Sequence, residues 1–252
     1  MKTRLLELVA PGVTLAVVLG NVVVLVEYVR SPQIVFGLIN TRSNLPFGPF
    51  TAIFTPDPTV FLGTQTLTDW YVGTAGTLFV FLFLFLLVNL DSPPAERGIR
   101  SAFYGAMLVV VSIIANLLTL AWGMESAGPS TAVMTAIGLV FGFSWASSIG
   151  WLRRGMPTLK FSAGSMGTFI GLAVAVGLLV AVIALPDAFF NVAQNVDWAS
   201  HVFCFVVGTT SALAFATRGR TYAAMNSRAT TKANYEAGEK GGKPVTGQRQ
   251  TW

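Results

Sequence analysis

Long unbroken apolar runs alternate with short polar breaks along this chain. The runs cover about residues 5–29, 71–90, 101–123, 131–152, 164–185 and 199–217. Each comes close to or exceeds the roughly 20 residues an α-helix needs to cross a bilayer core. Asp91-Ser92-Pro93-Pro94, Gly128-Pro129, Gly155-Met156-Pro157 and Pro186-Asp187 stand at four of the breaks, where proline and glycine interrupt helical backbone. The pattern predicts six transmembrane helices, hence an all-α polytopic membrane protein. No repeat relates one half to the other, so an inverted-repeat transporter gains no support. The first run follows Met1-Lys2-Thr3-Arg4 and is about 25 residues long without a small-residue cleavage site. It reads as an uncleaved first span rather than a signal peptide.

Composition agrees with this. Of 252 residues, 53% are hydrophobic and only 11% charged, with a mean hydropathy of +0.65. Soluble domains carry about 25% charged residues. The net charge of +5 resides in the tail: from Arg218 onward seven Lys and Arg stand against two Glu, and elsewhere nine of each sign cancel. Residues 1–217 are expected to form the membrane domain, and 218–252 a basic, disordered tail beside anionic lipid. No motif accompanies the tail that would point to nucleic acid. The single cysteine, Cys204, excludes an internal disulfide.

Charge also orients the spans. With the N-terminus inside, the inner segments hold Lys2, Arg4, Arg97, Arg100, Arg153, Arg154, Lys160 and the seven tail positives, and the outer segments only Arg30 and Arg42. Fourteen against two places both termini in the cytoplasm of a multi-pass protein, with the cell membrane as the expected location. The segment 31–70 then lies outside. It is apolar for a water-exposed loop ("IVFGLIN", "FGPFTAIF", "TVFLG") and is expected to lie in the membrane interface as short amphipathic pieces.

The candidate chemistry is sparse. His201 is the only histidine and sits one turn into the sixth run; the runs otherwise carry only Glu7 and Glu27 as ionisable residues. An ionisable group within a span suggests function, although a histidine hydrogen-bonded to a neighbouring helix is an equal alternative. Ser130 follows Gly128-Pro129 at the start of the fourth run. On the expected topology Ser130 and His201 both lie at outer helix ends, at depths differing by only a few Å at about 1.5 Å per residue. A serine with a histidine base is a nucleophile for carbonyl carbon. Gly128 and Ser130 would then shape a backbone turn whose free N–H groups meet an oxyanion. Alternatively, Ser130 only caps the helix. Gly138 and Gly142 form a GxxxG, and Gly208 with Ala212 a small-xxx-small, with Ser211 adjacent. Such stripes let helix backbones approach closely and would carry Ser130 toward His201.

"AGPSTAVMTAIGLVFG" resembles the G-x-S-G serine segment of the rhomboid intramembrane serine proteases, and "VDWASHVFCFVVGTTSAL" resembles their histidine helix. Six spans with both termini inside match the rhomboid core, over about residues 5–217. The resemblance implies peptide-bond hydrolysis in or near the membrane, with Ser130 as nucleophile, His201 as base and an acyl-enzyme intermediate. It implies no metal and no cofactor, and transmembrane proteins as substrates. The 31–70 segment would be the large first external loop, "PDAFFNVAQNVDW" (186–198) a cap over the site, and the second and fifth spans a lateral gate.

Four positions depart from the family pattern. Thr131 replaces the glycine after the serine, and Cys204 stands where a glycine often follows the histidine. The second span lacks the His-x-x-x-Asn of many active members; Val72 and Gly76 occupy the corresponding places. Loss of an oxyanion donor costs about 10²–10³ in rate. A rhomboid-like protein that binds transmembrane segments without cutting them is therefore the alternative. Asn116 in the third span is either a substitute polar group or, more in keeping with such a residue, a partner for a neighbouring helix.

Overall fold

Pro11 shapes the start of the chain. The computed structural model describes residues 2–31, 33, 38, 41–55, 67–123, 129–153, 162–184 and 199–218. Helix α1 (Lys2–Glu7) gives way at Leu8 to α2 (Val9–Arg30). Proline has no N–H to offer the carbonyl four residues back, which here is that of Glu7. Ser101 supplies the missing donor: its Oγ donates to the Glu7 carbonyl at 2.7 Å and accepts the Ala10 N–H at 3.0 Å.

Further along, 3₁₀ turns at Arg42–Asn44 and Ala52–Phe54 flank the short helix α3 (Gly48–Thr51). Four long helices follow: α4 (Leu67–Leu90), α5 (Pro94–Ala121), α6 (Ser130–Arg153) and α7 (Ala163–Ala184). Helix α8 is Ala199–Arg218. Among the described residues there is no strand. The chain divides into one unit, Met1–Leu213, and another, Ala214–Trp252.

Each helix end follows from local sequence. Pro94 opens α5 at its first position, with Glu96 in the first turn, where a fixed φ and a negative charge suit the helix start. Gly123 closes α5 at φ +80°, a left-handed stop open to glycine. Arg97 braces the α4–α5 turn by donating to the carbonyls of Ser92 (3.1 Å) and Leu90 (2.8 Å).

Helix α6 is the centre of the bundle. Of its apolar window 67% is buried, against 28% for the first helix. It packs on α4, α5 and α7, while α4 also packs on α7 and α5 on α1 and α2. Small residues permit this: Ala132, Ala136, Ser144 and Ala146 are buried on α6. Phe85 of α4 stacks on Tyr104 of α5 at 4.3 Å and meets Phe143 of α6 at 5.6 Å. The buried Arg100 guanidinium lies 5.6 Å from the Phe143 ring centre and 3.2 Å from Glu96.

Four helices, Leu5–Glu27, Pro94–Ala121, Ser130–Gly150 and Ala199–Arg218, are long and apolar enough to cross a membrane; Thr74–Leu90 and Ala163–Val174 are shorter apolar stretches. Large apolar side chains point outward from most of them, among them Leu19, Val23, Phe83, Val110, Leu117 and Val206. A soluble monomer rarely exposes so much contiguous apolar surface. The fold is that of an all-α membrane protein.

Candidate active site

Val133 donates its N–H to the Pro129 carbonyl at 3.0 Å, the first i→i−4 bond of α6. Pro129 therefore holds the cap position and Ser130 is the first residue inside the helix. That removes the simplest capping role for Ser130, whose hydroxyl is turned elsewhere. Ser130 Oγ lies 2.9 Å from His201 Nε2, in a half-buried setting. With the imidazole proton on Nδ1, Nε2 accepts the Ser130 O–H, the arrangement in which histidine can withdraw the proton.

The α6–α8 contact brings this pair together. Gly138 meets the Phe205 backbone, and Gly142 meets the Thr209 carbonyl and, at 2.8 Å from where a Cβ would stand, the Ala212 methyl. Gly208 returns the contact, its Cβ position 2.9 Å from the Thr135 carbonyl and 3.2 Å from the Leu139 nitrogen. Contact numbers rise together along both helices, so α6 and α8 run in the same direction. Any side chain at these glycines would push the backbones apart.

Cys204, one turn beyond His201, is buried against Val111 and Ala115 of α5, with Met107 and Met134 at the edge of the cluster. It fixes α8 to α5 while the glycines fix it to α6. His201 is thus carried on a helix braced from two sides.

The side-chain amide of Asn116 donates to the Pro49 carbonyl at 2.8 Å. Asn21 of α2 donates to the Ile53 carbonyl at 3.3 Å. Together these asparagines tie the 48–54 segment into the bundle. Gly48, Pro49, Ala52, Ile53 and Thr55 are buried, while Phe47 and Phe50 are exposed. Nothing in the sequence pattern singled out Asn21 for this role.

Gly76 is exposed, with nothing within 4 Å of its Cβ position. Gly128, the 56–66 part of the long loop and the 186–198 segment lie outside the described residues, as does the Val72 side chain. Among the described residues no three His, Cys, Asp or Glu side chains are placed to hold a metal ion. Compared with known proteins, the chain matches no family model, no curated protein and no solved structure.

Proposed function

We propose that the chain is a rhomboid-like intramembrane serine endopeptidase of six spans, with both termini cytoplasmic and Ser130 and His201 as its catalytic dyad. The observation that carries this reading is the 2.9 Å contact between Ser130 Oγ and His201 Nε2. His201 takes the Ser130 proton as Oγ bonds to the carbonyl carbon of a membrane-embedded peptide. The carbonyl π pair moves onto oxygen. When that tetrahedral species collapses, the C–N bond breaks and His201 returns the proton to the leaving amine. An ester on Ser130 remains. His201 then deprotonates a water, which attacks the ester, and Ser130 leaves as the alcohol.

The second and fifth spans, α4 and α7, are the substrate gate in this reading. They are tightly joined at one end, where Gly167 meets Leu87, Gly164 meets Asp91, and Ser162 Oγ donates to Asp91 Oδ1 at 3.2 Å. Further along, Gly76 and Gly177 have no neighbour within 4 Å of their Cβ positions. Helices clasped at one end and uncrowded at the other suit lateral entry of a transmembrane segment.

The test is labelling of the detergent-purified protein with a fluorophosphonate probe, followed by cleavage of a panel of single-span substrates. Labelling should vanish in Ser130→Ala and His201→Ala. A second reading, binding of transmembrane segments without cleavage, is favoured by the sequence's lack of a second-span polar pair. It predicts a folded wild type that captures such segments yet remains unlabelled.

A further inference from the structure

Thr131 is 4% exposed, and its Oγ1 has no hydrogen-bond partner. It shares this with the buried hydroxyls of Thr14 and Ser144, while several other helical hydroxyls are paired. Ser112, Thr119, Thr135, Thr168, Thr209 and Thr210 each donate to the carbonyl four residues back, at 2.7–3.1 Å. The Thr131 hydroxyl makes no such bond. Its hydroxyl hydrogen is left for something else.

Position says what that could be. Thr131, Thr135, Gly138 and Gly142 are spaced by four, three and four residues, so they share one stripe of α6. The Thr135 carbonyl, Gly138 and Gly142 all meet α8. Thr131 therefore lies on the α8-facing side of α6, beside Ser130 and level with His201. Among the described residues the first i→i−4 bond of α6 is the one Val133 makes to Pro129, which puts Ser130, Thr131 and Ala132 in the first turn, where amides lack intrahelical partners. Ala132 is fully buried. A buried hydroxyl and helix-start amides beside a nucleophile are donors suited to negative charge on oxygen.

We propose that Thr131 Oγ1, together with first-turn amides of α6, binds the oxyanion formed when Ser130 attacks a carbonyl. The inference rests on the protease reading and deepens it. As the Ser130 Oγ–carbon bond forms, the carbonyl π pair becomes the oxyanion lone pair that accepts the Thr131 O–H. Thr131 thereby takes the part of the polar groups missing from α4. No competing acceptor holds the Thr131 hydroxyl in the resting state.

The test compares labelling rates of the full-length protein with the fluorophosphonate probe, whose phosphoryl oxygen takes the oxyanion's place. Thr131→Val keeps the shape and removes the hydroxyl; it should label about 10²-fold more slowly, with an unchanged or raised Tm. On a cleaved substrate the loss should fall on kcat with KM held. Thr131→Ser should label within a few-fold of wild type. Thr131→Ala, which cannot overpack, should match the valine variant and decides the matter if valine fails to fold. Ser130→Ala supplies the blank. Fast labelling of both hydroxyl-free variants, with a silent Ser130→Ala, would leave the dyad standing and overturn the role of Thr131. An unlabelled wild type would remove the protease reading and this inference together.

Discussion

The Thr209 carbonyl occupies the space that a side chain on Gly142 would need. Backbone atoms cannot swing aside as a flexible side chain can, so even a methyl group must move a helix. Gly142→Ala is expected to lower stability by about 1–3 kcal/mol, the usual cost of overpacking, and to reduce labelling of Ser130 by pulling His201 away. Gly177→Ala, with nothing within 4 Å, is the control and should gain up to about 1 kcal/mol from helix propensity. Equal Tm values in detergent for the two variants would contradict the packing described.

Ser101→Ala should destabilise by about 1–3 kcal/mol. The serine satisfies two backbone groups at the α1–α2 break, the Glu7 carbonyl and the Ala10 N–H. Its removal leaves both without that partner beside a residue that is fully buried. Ser101→Thr, which keeps the hydroxyl, should recover most of the loss if the extra methyl fits. Chemical denaturation of the three proteins measures it, and an undisturbed Ser101→Ala would rule out the bridging role.

Asn116→Leu should loosen the 48–54 segment without unfolding the bundle. The Pro49 carbonyl loses its 2.8 Å donor, while Asn21 still holds Ile53. Hydrogen exchange at Thr51 and Thr55, whose N–H groups bond to Phe47 and Ala52, should speed up at least tenfold, with α6 amides unchanged. Equal rates in both proteins would mean that Asn116 does not anchor the segment.

Much of this architecture was legible in the sequence. Unbroken apolar runs forecast helices at Leu67–Leu90, Ser130–Arg153 and Ala163–Ala184 to within a few residues, because Pro and Gly leave little freedom at the breaks. The third helix begins at Pro94 rather than near 101: Glu96, Arg97 and Arg100 hid a polar helical start from a hydropathy count. Helix depth placed Ser130 and His201 level with each other. Their 2.9 Å contact depends on helix rotation, which the glycine stripes settle only once α6 and α8 are known to pack. The asparagine anchors could not be read, since their partners are backbone carbonyls of a loop.

Cys204, the sole cysteine, is fully buried. The native protein should therefore resist maleimide and react only after denaturation. That silent background allows topology mapping with introduced cysteines. Arg42→Cys, at an exposed position, should react with an impermeant reagent on intact cells, and Ser227→Cys only after permeabilisation. The reverse pattern would overturn the cytoplasmic assignment of both termini.

The 2.9 Å pair joins residues 71 positions apart in the chain. A ribosome adding roughly 5–20 residues per second needs about 4–14 s to pass from one to the other. During that interval the serine is already made and its histidine is not. A product truncated before α8 would carry the hydroxyl without its histidine, as well as a glycine stripe on α6 with no partner. The order of synthesis thus keeps the two halves of the pair apart until the last of these helices is made.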